Sequence, residues 1–366
     1  DSEIKEAASM VNSNGAWGWA LIIIKKDERN VDRWQNVFHL MSKNKLIPIV
    51  RIATSVDGSG NWQKPTEEDA KSWADFLNKL YWPTKNRYVQ VYNEVNRSTE
   101  WGGTVDPSGY ANELKRTTIE LKAKSPDFFV LNGPLDLALP DSESSMDAAR
   151  FYSLMQAAHP DIFQNLDGWA SHSYPNPEFS ASPYKSGRTG IDGYKWELSQ
   201  IGEAGGRLPV FITETGWNRS VVPEEQVATN YKSAFLDLWN DPRVVAVTPF
   251  VFNYPESLFQ AFSFKKHTSE GSNNYYLQFN AIKDLQKING EPERDNISSP
   301  ISFDVSEFVL KDSESVARIS TRNLGNHIWT KDNVTINFYG DGLTVTDTIF
   351  NNEEIFKNIQ NFKQGD

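Results

Sequence analysis

The chain has 366 residues, too many for one small domain and enough for a domain of about 250 residues with a modest appendage. Charged residues make up 23% and apolar residues 39%, a composition that excludes the disordered and fibrous classes. The net charge of −11 would repel a phosphate backbone, and the longest apolar run, Ala16 to Ile24, is far shorter than the roughly 20 residues that span a bilayer. We therefore expect no nucleic-acid partner and no insertion into a membrane.

Short apolar runs alternate with amphipathic stretches over residues 1–289. The runs predict seven strands: Trp17–Ile24, Leu46–Ala53, Tyr88–Tyr92, Phe128–Leu131, Gly168–Tyr174, Pro209–Thr213 and Val244–Phe252. The stretches between them predict helices with one apolar stripe, such as that formed by Trp73, Phe76, Leu77 and Leu80. Near-continuous apolar strands that alternate with helices indicate a parallel sheet covered on its outer face. The predicted class is therefore α/β, in the form of a (β/α)8 TIM barrel.

The pattern changes after residue 289. Residues 290–300 are polar and turn-rich and predict a linker, whereas short strands and turns over residues 301–366 predict a small C-terminal β-sandwich accessory domain. The stretch from Asn323 to Thr330 resembles the immunoglobulin-like accessory modules of bacterial secreted enzymes. That resemblance implies a prokaryotic protein that acts outside the cell or at the cell surface. We recognise no signal segment in the chain.

Two predicted strands end in glutamate, and a third ends in histidine and tyrosine. Glu94 follows Asn93 in YVQVYNEVN, and Glu214 lies in PVFITETGW. His172 and Tyr174, in GWASHSYPN, are two residues apart, so their side chains point to the same side. Reactive groups of a βα barrel stand at the carboxyl ends of its strands, so we expect these side chains to share one cleft. Two carboxylates that converge on a cleft can hydrolyse a glycosidic bond.

Each of these residues also has a simpler interpretation. A single glutamate after a strand is more often a helix cap or a surface charge. Here two such residues each follow a buried type of strand, and His-x-Tyr lies on a third strand. This combination arises by chance much less often than a single glutamate does. A catalytic cleft is therefore the favoured interpretation.

These motifs resemble the clan A retaining glycoside hydrolases over residues 1–289. The resemblance implies that Glu94 is the general acid/base and Glu214 is the nucleophile. It also implies that Asn93 binds the sugar 2-hydroxyl, while His172 and Tyr174 orient the nucleophile and line the subsite. The implied ligand is a polysaccharide or oligosaccharide.

Family-level features point in two directions. The ETGW motif is similar to that of the family 17 β-1,3-glucanases, and the His-x-Tyr strand is similar to that of family 5 cellulases and mannanases. Arg51 is placed like the arginine that supports the nucleophile in several of these families, and a salt bridge at the barrel rim is its alternative interpretation. Many clan members carry a tryptophan at the end of the last strand, where this chain has Phe252, Asn253 and Tyr254.

Tryptophan is frequent, with 12 residues, and Trp62, Trp101 and Trp217 follow strand ends on the expected reactive face. Apolar faces of sugars stack on such rings, and loop packing is the alternative role. We expect at least two of the three indoles to face the groove that contains Glu94 and Glu214.

The expected reaction needs no metal or cofactor. Ionised Glu214 attacks the anomeric carbon while protonated Glu94 donates to the departing oxygen, which predicts a raised pKa for Glu94 and carboxyl groups about 5–5.5 Å apart. The leading prediction is a retaining endo-β-glucanase. A β-mannanase, a xylanase or an exo-acting glycosidase on the same scaffold, and a non-catalytic carbohydrate-binding barrel, are the alternatives.

The strand count differs from the clan pattern. The resemblance places the two glutamates on the fourth and seventh strands, but in this chain they follow the third and sixth predicted strands. We therefore expect a first strand before Asp1 or another segment in its place, between the strands Trp17–Ile24 and Val244–Phe252. Direct hydrogen bonding between those two strands would contradict this expectation.

Overall fold

The computed structural model describes residues 2–13, 16–266 and 274–295, and residues 302–304, 318–321, 323, 325, 326 and 329. Its parallel strands are β1 Gly18–Lys25, β2 Leu46–Ala53, β3 Arg87–Val91, β4 Phe128–Leu131, β5 Trp169–Ser171, β6 Val210–Ile212 and β7 Val244–Val247. Its helices are α1 Ser2–Val11, α2 Val31–Lys43, α3 Asp69–Asn78, α4 Pro107–Lys124, α5 Ala148–Ala158, α6 Gly193–Gln200, α7 Glu203–Arg207, α8 Glu224–Ser233 and α9 Leu277–Lys283. The alternation of strands and helices predicted from the sequence is confirmed.

The strands pair in chain order. One parallel sheet has the order β1-β2-β3-β4 and a second has the order β5-β6-β7. Parallel bridges from Leu131 to Gly168 and from Asp136 to His172 join β4 to the segment that contains β5. All strand carboxyl ends therefore lie at the same edge, as a parallel α/β fold requires.

Strands β5 and β7 are shorter than predicted. Pro175 and Pro177 follow β5, and Pro249 follows β7. Proline has no backbone N–H to donate to a ladder, so pairing ends before these positions. As a result, His172, Tyr174 and the residues after β7 lie in loops above the sheet, where their side chains are free to line a cleft.

Side chains at the helix starts explain where several helices begin. Asn30 accepts a hydrogen bond from the backbone of Arg33 at the start of α2. Asp106 does the same for Gly109 at the start of α4, which has Pro107 in its first turn. Asp147 caps α5. Each cap satisfies backbone donors that a helix leaves unpaired at its N-terminus.

Apolar side chains fill both faces of the sheet. Trp19 and Tyr88 pack against a small cluster that consists of Ile49, Leu131, Ala170, Phe211 and Ala246. A much larger cluster lies between strands and helices and includes Trp73 and Phe38. Every residue of β2 is buried, as the continuous apolar run predicted.

Strands β1 and β7 are not paired in the sheets that the structure describes. The hydrogen bonding that would contradict the expectation of an additional strand between them is thus not found in these residues. That expectation stays a prediction.

The C-terminal prediction lies mostly outside the described residues. The two short strands β8 Ser302–Asp304 and β9 Arg318–Ser320 pair in antiparallel fashion. The predicted β-sandwich over residues 301–366 otherwise lies outside the described part, as do residues 296–300 of the linker, while residues 290–295 form neither helix nor strand. Every helix in the described part of the chain is too short or too polar to span a bilayer.

Candidate active site

The residues that the sequence placed at strand ends meet at the carboxyl edge of the sheet. Asn93 and Glu94 follow β3, and the backbone there is unusual: Tyr92 and Glu94 have φ angles of 65° and 35°. Residues other than glycine rarely occupy this left-handed region, and such strain concentrates at functional sites. The Glu94 backbone N–H donates to the Pro134 carbonyl at 2.8 Å, which holds the turn.

Glu94, His172 and Glu214 form one contact cluster. Nδ1 of His172 lies 2.9 Å from Oε1 of Glu94, and Nε2 lies 3.7 Å from Oε1 of Glu214. One carboxylate oxygen of Glu94 lies within 4.8 Å of one of Glu214. The imidazole is buried and lies between the two carboxylates.

Tyr174 and Arg51 both contact Glu214. The Tyr174 hydroxyl donates to Oε2 of Glu214 at 3.2 Å, and Nη1 of Arg51 lies 3.6 Å from Oε1. Glu214 therefore has both a hydrogen-bond donor and a positive charge beside its carboxylate. The resemblance implied such contacts with a nucleophile, and the roles of the two residues stay a prediction.

A second carboxylate faces each arginine of the site, and the sequence did not single these carboxylates out. Nη2 of Arg51 lies 3.5 Å from Oε2 of Glu100. Arg97 bridges in the same way, with Nε 3.8 Å from Glu94 and a hydrogen bond to Asp136. Glu100 and Asp136 lie in loops after β3 and β4. Their positions after strand carboxyl ends are the one sequence signal that could have indicated them.

The pKa of Glu94 differs from the expectation. Burial raises it, but the hydrogen bond and charge of His172 and the charge of Arg97 outweigh burial, so the pKa is lowered. Burial lowers the pKa of His172, but the charges of Glu214 and Glu94 and the hydrogen bond to Glu94 raise it overall. The prediction of a raised Glu94 pKa is wrong, because the sequence could not show the imidazole in contact with it. The pair therefore titrates as a coupled unit, in which the lowered pKa of Glu94 and the raised pKa of His172 both favour the proton on the imidazole.

Asn93 offers an unused polar atom. Its side chain is 6% exposed, and its Oδ1 has no hydrogen-bond partner in the structure. A buried polar atom without a partner is costly, so such an atom beside a cleft is well placed to bind a ligand hydroxyl. This placement agrees with the substrate-binding role implied for Asn93.

Two of the three predicted tryptophan platforms are buried. Trp101 is 2% exposed and packs edge-on against Tyr92 and Tyr110, and Trp217 is 1% exposed and packs against Tyr231. Neither can stack on a sugar, so the expectation for these two residues is wrong: large aromatic rings anchor the loops here. Trp62 is partly exposed, and its ring lies 5.7 Å from the Arg51 guanidinium.

A chain of other aromatic rings leads away from Glu214 instead. Tyr174 contacts Phe179 and Phe262, and Phe262 contacts Phe250, with ring centroids 5.0–6.5 Å apart. Phe259 continues the chain, 5.2 Å from Phe250, and Tyr254 lies 5.3 Å beyond it. All but Phe262 keep some exposed surface. These residues lie in loops, where the sequence has no periodic pattern, so their arrangement could not be predicted from the sequence.

The central cluster also has the spacing of a metal site, since the three ligand-type atoms lie within 4.8 Å of one another. However, Arg51 and Arg97 place positive charges 3.6 and 3.8 Å from the two carboxylates. Two guanidinium groups at this distance oppose a divalent cation. The donor set is therefore a poor fit for a metal and a better fit for acid–base chemistry.

Comparison with known proteins gives matches at the level of structure. No protein-family model and no curated protein matches the chain. A GH5_18 protein from Bifidobacterium longum subsp. infantis superposes with a TM-score of 0.52 at 14% identity, over 79% of this chain and 74% of that chain. A family 39 glycoside hydrolase from the gut symbiont Bacteroides cellulosilyticus WH2 gives 0.50 at 14% identity, over 77% of this chain and 59% of that chain.

A GH39 β-xylosidase from Caulobacter crescentus also gives a TM-score of 0.50, at 16% identity, over 77% of this chain and 66% of that chain. The chain thus spans about three fifths to two thirds of the length of these two family 39 structures. At such low identity the likeness shows the fold. The chain shares the parallel α/β fold of these glycoside hydrolase structures.

Proposed function

We propose that the protein is a retaining glycoside hydrolase that cleaves β-linked glycans. The observation that carries the proposal is the closeness of Glu94 and Glu214, whose carboxylate oxygens approach within 4.8 Å. Retaining enzymes hold their two carboxyl groups about 5–5.5 Å apart, whereas inverting enzymes need about 6.5–9.5 Å to admit a water. The short approach supports a direct attack on the sugar by one of the two carboxylates.

The contacts of each glutamate support its role. Glu214 is the proposed nucleophile, because Tyr174 donates a hydrogen bond to its carboxylate and Arg51 places a positive charge beside it. It attacks the anomeric carbon and forms a glycosyl ester, while the glycosidic oxygen leaves with a proton from Glu94. Glu94 then takes a proton from the water that hydrolyses the ester, and the configuration at the anomeric carbon is retained.

His172 supplies the proton that Glu94 lacks in the free protein. The 2.9 Å contact from Nδ1 to Oε1 is short enough for the proton to move directly to the carboxylate. As the leaving oxygen gains negative charge, Glu94 receives this proton from His172 and passes it to that oxygen. The negative charge of Glu214 is the largest of the influences that raise the pKa of His172. Formation of the ester removes that charge, so the imidazole then gives up its proton more readily.

A mechanism-based 2-fluoroglycoside tests the function. A retaining enzyme is expected to accumulate the fluoroglycosyl ester on Glu214, which peptide mass spectrometry locates. The non-catalytic carbohydrate-binding barrel remains the alternative of another class, and it would bind sugars without any covalent adduct. Labelling of a different residue would contradict the assignment of Glu214.

We further propose that the substrate is a polymer and the enzyme an endo-β-glucanase. The row Tyr174, Phe179, Phe250, Phe259 and Tyr254 supports this, because rings that extend outward from Glu214 can stack on several consecutive sugars. A β-mannanase, a xylanase and an exo-acting glycosidase are the alternatives. A screen of soluble β-glucans, mannans and xylans with product-length analysis separates them.

Loss of an outer ring is expected to weaken binding of long substrates. Phe259→Ala should raise KM for long oligosaccharides by about 5- to 30-fold and leave the shortest substrate nearly unchanged, since one stacked ring contributes about 1–2 kcal/mol. Leu258→Ala is the matched control, because Leu258 is an exposed neighbour outside the row. An equal KM change for short and long substrates would contradict the proposed stacking row.

Removal of the Arg97 charge is expected to widen the active pH range. Arg97 lowers the pKa of Glu94, so Arg97→Gln should raise the pKa at which the Glu94–His172 pair loses its proton. The basic limb of kcat/KM should then move to higher pH by about 0.5 to 1 unit. Arg150→Gln is the control, since Arg150 pairs with Asp141 at the surface. A limb that moves to lower pH would contradict the assignment.

A further inference from the structure

Arg51 lies between two carboxylates. Its Nη1 is 3.6 Å from Glu214 and its Nη2 is 3.5 Å from Glu100, while the Trp62 ring covers the guanidinium at 5.7 Å. The Arg51 side chain is 8% exposed, and its Nε has no hydrogen-bond partner. With these groups around it, the guanidinium depends on the two carboxylates for its orientation.

Backbone hydrogen bonds hold the turn that carries Glu100. It ends a 3₁₀ turn, Ser98–Glu100, whose first residue donates its backbone N–H to the Ser144 carbonyl at 2.8 Å. The neighbouring Trp101 is buried and anchors the turn. The backbone of Trp62 also bonds to this turn, donating to Thr99 at 2.8 Å. Glu100, Arg51 and the ring of Trp62 therefore form one fixed unit beside Glu214.

The charges around Glu100 couple it to the two catalytic candidates. Burial is the main cause that raises its pKa to about 7, the charge of Arg51 opposes this, and the charges of Glu94 and Glu214 add to it. Arg97 is the other positive group that faces Glu100 and lowers its pKa. Glu100 therefore changes its charge near neutral pH, next to the arginine that stabilises Glu214.

We propose that Glu100 is a positioning residue that orients Arg51 toward the nucleophile Glu214 and sets how much of the Arg51 charge Glu214 receives. The role in catalysis rests on the proposed hydrolase function. When Glu100 is protonated, Arg51 pairs with Glu214 alone. When Glu100 ionises, the guanidinium is shared between two carboxylates, and Glu214 receives less of its charge.

Kinetics of a double-mutant cycle test the route through Arg51. Glu100→Ala is expected to lower kcat by about 10- to 10²-fold with KM nearly unchanged, because a misplaced Arg51 affects the reacting carboxylate. Glu100→Gln should recover most of this loss, since its amide oxygen can still accept from Arg51. In an Arg51→Lys background, adding Glu100→Ala should lower kcat by less than about a further 2-fold. An undiminished cost in that background would overturn the proposal.

Stability against pH gives a readout that needs no activity. The raised pKa of Glu100 means that folding favours its protonated form, so its contribution to stability is fully present below its ordinary pKa of 4.5 and is lost as pH rises through about 7. Glu100→Gln should therefore reduce the fall in Tm between pH 5.5 and 8.5 by about 3 °C or more. Glu143→Gln, which removes an exposed carboxylate from a nearby loop, should leave the fall unchanged.

The two measurements separate the two proposals. If the wild-type protein hydrolyses no glycan but Glu100→Gln flattens the stability profile, the coupling of Glu100 to its charged neighbours holds and the hydrolase function fails. Suppose instead that hydrolysis is found, that Glu100→Gln changes the stability profile no more than Glu143→Gln does, and that Glu100→Ala lowers kcat equally in the wild-type and Arg51→Lys backgrounds. The role of Glu100 is then overturned and the function stands.

Discussion

Replacing Glu214 by alanine is expected to reduce hydrolysis by about 10⁵-fold or more, on natural glycans and on aryl glycosides alike. The variant lacks the carboxylate that attacks the sugar, and a better leaving group cannot replace a missing nucleophile. Initial rates on both substrate types measure the effect. Glu225→Ala, which removes an exposed glutamate from the first turn of α8, is the control and should keep full activity.

Azide shows which step the Glu214 variant has lost. An azide ion in the space of the missing side chain attacks the β-glycoside once and gives a glycosyl azide of inverted configuration, which NMR identifies. A product of retained configuration from this variant would mean that another residue forms the ester. The nucleophile assignment would then be wrong.

Replacing Glu94 by alanine is expected to cost about 10²- to 10⁴-fold on natural glycans and much less on aryl glycosides that carry good leaving groups. Such groups depart without a proton, so the first step no longer depends on Glu94. Azide should accelerate breakdown of the ester and yield a glycosyl azide of retained configuration. Glu143→Ala provides an exposed-carboxylate control.

The substrate dependence is the decisive result for Glu94. An equal loss on natural and activated substrates would show that Glu94 does not supply the proton. Retained azide product from the Glu94 variant and inverted product from the Glu214 variant would together define both roles. The 2.9 Å contact with His172 predicts that the imidazole loses its main hydrogen-bond partner in the Glu94 variant.

Two arginines lie among the four carboxylates of the site. Each glutamate has an arginine, and each arginine is shared with a further carboxylate: Glu100 for Arg51 and Asp136 for Arg97. Burial raises the pKa of Asp136, and the charge of Glu94 adds to this. A guanidinium group thus lies between each outer carboxylate and one of the two glutamates.

Local sequence patterns determined the parallel α/β architecture. The continuous apolar run of β2 and the apolar stripe of α3 each show, within one segment, which residues are buried. Such patterns can therefore be recognised without knowing which other elements pack against the segment. The same logic located Glu94 and Glu214, because a parallel sheet brings the carboxyl ends of its strands together. Strand lengths were overestimated at β5 and β7, where prolines end the pairing.

Exposure and charge environment were decided only by the tertiary structure. Trp101 and Trp217 are buried while Phe259 and Phe250 keep exposed surface, a difference set by how loops fold over one another. The lowered pKa of Glu94 depends on a histidine 78 positions away along the chain. Such contacts join residues from separate loops, whose paths carry no periodic pattern. The sequence by itself therefore determined the scaffold and the pair of carboxylates, and tertiary contacts decided their protonation and the aromatic surface beside them.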